Sequence, residues 1–237
     1  YVPNNAVLVI GGDINEAQTK KLIEKYFATI PKGTEHISRD LPVEPVSTHE
    51  KRVNFYDNIQ LPAVIIAYHT PKLGSSDYYA LDMLSTLLSN GNSSRLQKNV
   101  VDKEQKAVNV GAGGTGNEDA SVMLMYGIAN IGVKPEELEK AMEDEVEKVQ
   151  KSGLSDEEMK KLLIQTETQL AEENQKVLGV VTNLATDYTF QKDANLVNTE
   201  FSKYQAVTKA DIQRVANKYF TKDNRLVVYY LPKADKK

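Results

Sequence analysis

Histidines are the first residues to consider, because a zinc site of the peptidase type needs two imidazoles one helical turn apart. The sequence contains His36, His49 and His69, and none of them forms an H-x-x-E-H or H-E-x-x-H pair. It contains no cysteine, which excludes disulfides, thiol nucleophiles and cysteine-bound zinc. We therefore expect no catalytic metal site within this chain.

Two further motifs suggest chemistry but are incomplete. Gly11-Gly12-Asp13 lacks the third glycine of a dinucleotide fingerprint and the Lys-Ser/Thr of a P-loop, and Asp13 would repel phosphate. A turn between a strand and a helix explains it better. Ser93 and Ser94 lack the G-x-S-x-G setting of a nucleophile, so we expect them to cap a helix.

The stretch 136–147 is rich in glutamate and could be read as a carboxylate cluster. Its apolar residues Leu138, Met142 and Val146 recur every four positions, as they do on one side of a helix. The carboxylates would then lie on the opposite, solvated side. We predict a surface helix without acid–base or metal chemistry.

The composition excludes several classes of protein. Of the 237 residues, 41% are hydrophobic and 26% are charged, which is typical of a globular chain. No run approaches 18 apolar residues, so no membrane-spanning helix is expected. The net charge of −4, without basic clusters, argues against nucleic acid or an anionic membrane as a partner.

The order of predicted elements indicates an α+β fold. An apolar run at 7–10 predicts a buried strand, and Asn15 caps the helix that follows. The segment 62–68 is apolar on both faces, which is typical of a central strand covered on each side. Strands and helices do not alternate strictly along the chain, which favours one mixed, largely antiparallel sheet with helices mainly on one face.

A set of short motifs lies in order along nearly the whole chain, at residues 1–6, 12–14, 25–27, 60–62, 68–71, 77–81, 91–96, 204–208, 211–216 and 223–225. Together these motifs resemble the second domain of the pitrilysin/insulinase family, the zinc metallopeptidases related to the mitochondrial processing peptidase. The chain begins at Tyr1 without a signal peptide, and we interpret it as a fragment of a longer protein.

The resemblance implies a LuxS/processing-peptidase-like fold and a role in a peptide chamber. Each half of such an enzyme is a pair of similar domains, and two halves close around the substrate. The zinc motif lies in the first domain, where metal-activated water attacks the peptide and substrate adds as a strand to a sheet edge. Residues 1–237 are then a single second-type domain without zinc, and the parent protein holds the metal.

Some second domains of the family carry an arginine and a tyrosine, seven residues apart, that support bound substrate. The matching positions here are Val101 and Val108, which can neither orient a peptide nor hydrogen-bond an oxyanion. Arg95 belongs to a neighbouring motif and does not replace them. By position, the residues expected to line the chamber are Asn90, Gly91, Asn92, Ser93, Val101 and Val108.

Three interpretations stay open. The chain is the second domain of a zinc-bearing half whose partner carries the Arg/Tyr pair, or its parent has lost both sites and serves as a scaffold. A stand-alone ligand-binding module is the third. In the first case its partners are the zinc-binding first domain, the other half and a peptide. The chain alone would not be catalytic, and its lack of cysteine and the bacterial members of the family favour the periplasm or cell envelope.

Overall fold

The computed structural model describes residues 2–38, 40–42, 44–45 and 47–233. The chain divides into two compact units. The small unit comprises Tyr1–Pro45 and Glu167–Phe201, and the large unit comprises Val46–Thr166 and Ser202–Lys237. Each unit is described by itself.

The described residues form five strands and seven α-helices, together with a π-helix and two 3-10 turns. In chain order the 3-10 turn Pro3–Asn5 is followed by α1 Glu16–Phe27, β1 Lys51–Asp57, β2 Ala63–Thr70, α2 Ser76–Ser89, the π-helix Gln97–Lys103, β3 Ala107–Gly114, β4 Ser121–Ala129, α3 Pro135–Ser152, α4 Asp156–Glu173, α5 Val177–Gln191, α6 Leu196–Gln205, α7 Lys209–Tyr219, the 3-10 turn Lys222–Asn224 and β5 Arg225–Pro232.

The five strands form one sheet in the large unit, in the order β1-β5-β2-β4-β3. The β1–β5 pair is parallel and the other three pairs are antiparallel. This confirms the α+β class and the mixed, largely antiparallel sheet. β2 lies in the centre, as its apolar sequence predicted.

One face of this sheet carries the core. Alternate residues of β2 and β4 are buried beneath helices, because successive side chains of a strand point to opposite faces. α3 packs so closely that a Cβ added to Gly127 would lie 2.8 Å from the sulfur of Met142. Fully buried residues include Val64, Ile66, Leu84, Leu88, Met125, Leu138, Met142, Ile212 and Val215.

The opposite face of the sheet is only partly covered. The other set of alternating residues in β2, which includes Ile65, is half-buried. On the same face Leu124 and Tyr126 of β4 are exposed. The expectation that β2 is covered on both sides was therefore wrong within the described residues, because helices pack against one face.

The small unit confirms one prediction and contradicts another. Asn15 caps α1, and its side chain accepts a hydrogen bond of 3.0 Å from the amide of Gln18. Residues 7–10, predicted as a buried strand, have no regular secondary structure, and Val7, Leu8 and Ile10 are exposed. The described residues offer this run no neighbouring strand, and an isolated strand cannot satisfy its backbone groups.

Asp77 joins the start of α2 to α7 in the large unit. Its carboxylate accepts hydrogen bonds from Arg214 (2.8 Å), Lys218 (2.9 Å) and the hydroxyl of Tyr219 (2.8 Å). Partial burial alone would raise the pKa of Asp77, but these three donors outweigh it and lower the pKa to about 2. The ionised carboxylate therefore stabilises the contact between the two helices.

We predict that Asp77→Asn lowers the free energy of unfolding by about 1–3 kcal/mol at pH 7, because three donors lose their charged acceptor. The folded-state pKa lies below the usual 3.8, so this stabilisation is present above pH 3.8 and is lost as the pH falls towards 2. Urea unfolding at pH 7 and near pH 2 measures it. The difference between the two proteins should shrink at low pH, and an unchanged difference would contradict the argument.

The matched control is Asp156→Asn. Asp156 also pairs with a lysine, Lys209, but its side chain is almost fully exposed. Solvent screens such a pair, so this substitution should change stability little at either pH.

Candidate functional site

The loop after α2 presents four of the residues expected to line a chamber. Asn90, which caps the end of α2, is exposed, as are Gly91, Asn92 and Ser93. Gly91 has a φ of +78°, a conformation that side chains with a Cβ rarely adopt, so the turn requires glycine. The loop therefore presents polar side chains to solvent from a fixed backbone.

Neighbouring elements hold this loop in place. Lys161 of α4 donates a hydrogen bond of 3.1 Å to the carbonyl of Ser93. At the end of α2, the hydroxyl of Ser89 donates to the carbonyl of Ala112 in β3, at 2.9 Å. The loop is thus tied both to α4 and to the outermost strand of the sheet.

Arg95 anchors the segment that follows the loop. Its guanidinium donates to both carboxylate oxygens of Glu158, each at 2.9 Å, and to the carbonyl of Gly153 at 3.1 Å. The bond from Arg95 is the main reason why the pKa of Glu158 falls to about 2. Arg95 is therefore engaged in structural contacts.

Val101 and Val108 flank a segment of unusual backbone. Val101 lies in the π-helix Gln97–Lys103, and such helices are rare and occur often at functional sites. Gln105 has a φ of +53°. The β3–β4 register shifts between Ala107 and Asn109, which places Val108 at a β-bulge. Val101 is half-buried, whereas Val108 is 48% exposed and projects from the strand at the sheet edge.

Ser93 also lines a cavity of about 560 Å³ beside α4. Four cationic side chains and three carboxylates surround it, namely Arg95, Lys98, Lys148, Lys161, Glu145, Glu157 and Glu158. Burial and the nearby Lys98 lower the pKa of Lys161. Lys161 donates to the backbone carbonyl of Ser93, so it fixes the loop at the rim of this cavity.

A second cluster, which the sequence did not predict, lies between the sheet and α3. Arg225 of β5 forms ion pairs with Glu50, Glu139 and Glu143. Arg52 also pairs with Glu139, and the hydroxyl of Tyr229 donates to the same carboxylate. The side chains of Arg225 and Glu139 are each 6% exposed.

This cluster corrects the interpretation of the 136–147 stretch. Glu139 and Glu145 were expected on a solvated surface, but both are buried. Glu139 is neutralised by arginines that come from strands distant in sequence, and such pairing is invisible in a helical pattern. Burial and the bond to Glu139 raise the pKa of Tyr229 to about 12. Each carboxylate of this cluster has a cationic partner. The cluster therefore has a structural role and lacks a free general base.

No metal centre is formed by the part of the chain that the structure describes. Within it, no group of three or more histidine, cysteine, aspartate or glutamate side chains is placed to hold an ion. His36 and His49 are exposed in the segment before β1, and His69 lies near the end of β2. Among the same residues, no helix is both long and apolar enough to cross a membrane.

Comparison with known proteins gives a consistent result. A family model described as the peptidase M16 inactive domain matches residues 1–166. The chain is 30% identical over 234 residues to zinc protease PqqE of Helicobacter pylori, covering 98% of this chain and 52% of that protein. It therefore spans about half the length of this curated relative.

Solved structures show the same fold. A protease from Helicobacter pylori has a TM-score of 0.86 and 27% identity, and the match covers 92% of this chain and 53% of that one. The periplasmic protease PqqL of Escherichia coli has a TM-score of 0.71 and 16% identity, with coverages of 94% and 25%. The expected resemblance to this family is confirmed.

We predict that Arg225→Met lowers the free energy of unfolding by about 3–5 kcal/mol, because it leaves the buried Glu139 short of a cationic partner. Urea unfolding at pH 7 measures the loss. Lys140→Met is the control, since Lys140 pairs with Asp144 on the exposed side of α3 and its removal should matter little. Equal losses for the two variants would show that the buried cluster around Arg225 stabilises the fold no more than a surface ion pair does.

Proposed function

This chain belongs to the peptidase M16 inactive-domain family, and from that membership we propose that it walls the peptide chamber of a zinc protease without taking part in the chemistry. Residues 1–237 act as the second-type domain of one half of the enzyme. Its described residues form no zinc-binding group, so the zinc of the parent protein belongs to another domain. The partners are that zinc-binding domain, a second half and the peptide.

The observation that carries the proposal is the exposed edge of the sheet at β3. The eight residues of β3 include no proline and no charged side chain, whereas the opposite edge, β1, carries Lys51, Arg52 and Asp57. Charges and proline are the usual protection of a strand edge against pairing with another chain. An unprotected edge can contact the main chain of an extended peptide, in addition to the strand pairing that the resemblance places in the first domain.

Other features support the same surface. The bulge at Val108 and the fixed loop 90–93 both adjoin β3, the latter through the Ser89–Ala112 hydrogen bond. By the family resemblance, Val101 and Val108 stand at the positions where some second domains, those of the half without zinc, carry an arginine and a tyrosine that support substrate. Their apolar side chains would give contact without anchoring a carbonyl, which fits a wall in the zinc-bearing half facing a partner that carries the pair.

A scaffold or partner subunit that has lost both sites is the alternative. The observation that favours it is the pair of valines at positions 101 and 108, since neither side chain can support bound substrate. An H-x-x-E-H pair in the domain that precedes this one would decide for the active half. Its absence there would decide for the scaffold.

A location in the cell envelope belongs to the proposal. One neighbour of the same fold is named a periplasmic protease, and a chain without cysteine is compatible with an oxidising compartment. Fractionation of the native organism, followed by detection with an antibody against this chain, tests it.

For the function itself, we predict that the full-length protein, mixed with its partner half, cleaves an unstructured fluorogenic peptide. A strong chelator should abolish cleavage and added zinc should restore it, while the 237-residue chain alone should be inactive. Cleavage that survives chelation would exclude zinc chemistry, and activity of the chain alone would overturn its non-catalytic role.

The substitution Val108→Asp in the full-length protein tests whether β3 lines the peptide chamber. A carboxylate at the β3 edge should raise the KM for an apolar peptide about tenfold, because it replaces a side chain that contacts substrate. Val53→Asp is the matched control, since Val53 is a strand valine of almost equal exposure, 49%, at the opposite edge of the sheet. If both variants behave alike, β3 does not face the substrate.

A further inference from the structure

The cavity of about 560 Å³ beside α4 is lined by residues of the large unit and contains more positive charge than its carboxylates neutralise. Two of its ion pairs lie within the lining itself. Arg95 donates to both carboxylate oxygens of Glu158. Lys148 pairs with the buried carboxylate of Glu145. The remaining carboxylate of the lining, Glu157, is exposed to solvent.

Two lysines of this lining have no carboxylate at ion-pair distance in the part of the chain that the structure describes. They are Lys98, which lies in the π-helix, and Lys161, which lies in α4. Lys161 is half-buried, so its ammonium group is partly removed from water. Removing a charge from water is costly unless an opposite charge lies close to it. The cavity therefore presents two positive charges that the chain itself does not pair.

The ammonium group of Lys161 is fixed at the rim of the cavity. It donates one hydrogen bond of 3.1 Å to the carbonyl of Ser93, which leaves two of its three protons for other acceptors. Burial and the nearby charge of Lys98 lower the pKa of Lys161. Glu158 opposes this effect, but both of its oxygens already accept hydrogen bonds from Arg95. An anion between the two lysines would relieve their repulsion.

Neutral hydrogen-bond donors surround the same space. The side chains of Ser93, Asn99 and Ser152 line the cavity, and each has a hydroxyl or amide proton that it can donate. The hydroxyl oxygen of Ser155 accepts a hydrogen bond of 3.1 Å from the amide of Glu158, and its proton stays available for a further acceptor. The lining therefore combines charged and neutral donors, which suits a group that is rich in acceptor oxygens.

The chemistry of these donors selects the class of ligand. A phosphate monoester carries a charge of about −1.5 to −2 at pH 7 and three acceptor oxygens, which matches two ammonium groups with hydroxyls beside them. Lysine binds phosphate as a point charge, whereas the planar fork of arginine matches carboxylates, and Arg95 is already occupied by Glu158. A volume of about 560 Å³ lies within the range of sites for small molecules.

We propose that the cavity between the π-helix and α4 binds a small molecule through a phosphate group, either a phosphate monoester or phosphate itself, with Lys98 and Lys161 as the charged contacts. Because Lys161 also holds the carbonyl of Ser93, the bound phosphate would lie next to the loop 90–93. This site goes beyond the proposed role in the peptide chamber and does not depend on it.

Isothermal titration calorimetry of the full-length protein in a phosphate-free buffer tests the site, with inorganic phosphate and glycerol phosphate as the two probes. We expect saturable binding of at least one probe with a Kd of about 1 mM or tighter, and an equal concentration of acetate should not suppress it. Tighter binding of glycerol phosphate would identify a monoester as the ligand, and tighter binding of inorganic phosphate would identify the free ion. Absence of saturable binding, or binding that acetate suppresses equally, would overturn the proposal.

Substitutions assign the binding to this cavity. Lys98→Met and Lys161→Met should each weaken the affinity for the probe about tenfold, because each removes one charge-assisted contact. Lys160→Met is the matched control, since Lys160 is the neighbouring residue of α4 but does not line the cavity, and its affinity should be unchanged. Lys98 is exposed, so its variant tests the site even if losing the bond to Ser93 destabilises Lys161→Met. Equal affinities of the Lys98 and Lys160 variants would contradict the assignment.

Discussion

Burial of one face of the five-stranded sheet is the constraint on which the large unit depends. Because side chains alternate along each strand, covering that face with α2, α3 and α7 fixes which residues of β2, β4 and β5 form the core. The same alternation leaves the other face open, and the strand order leaves β3 as an outer edge. The surface proposed to contact peptide is this edge.

Ion pairs add to the apolar packing that holds the helices against the sheet. Arg225 of β5 pairs with Glu139 of α3, and Asp77 joins α2 to α7, so the helices that cover the sheet are also tied to it and to each other by ion pairs. Burying such charges is costly unless each has a partner, which makes the pairs sensitive to the loss of one member. They are structural features of the large unit.

The small unit buries less of its apolar surface than the large unit does. Its apolar residues are present in the numbers that a folded unit needs, but they are not buried among the described residues of the chain. The large unit buries much of its apolar surface internally, whereas many large apolar side chains of the small unit are exposed. This contrast explains how one chain can contain both a well-formed core and an amphipathic helix with no buried residue.

The sequence by itself determined the α+β class, the central strand β2 and the helices α1 and α3, since these follow from local periodicity and from caps such as Asn15. The resemblance supplied the family. Tertiary structure decided which apolar segments are buried: residues 7–10 read as a buried strand, but no described segment lies beside them. It also decided the surroundings of Glu139, because the arginines that neutralise it come from strands far away in sequence. Local patterns show which side chains a segment can bury. Whether they are buried depends on which distant segment packs against them.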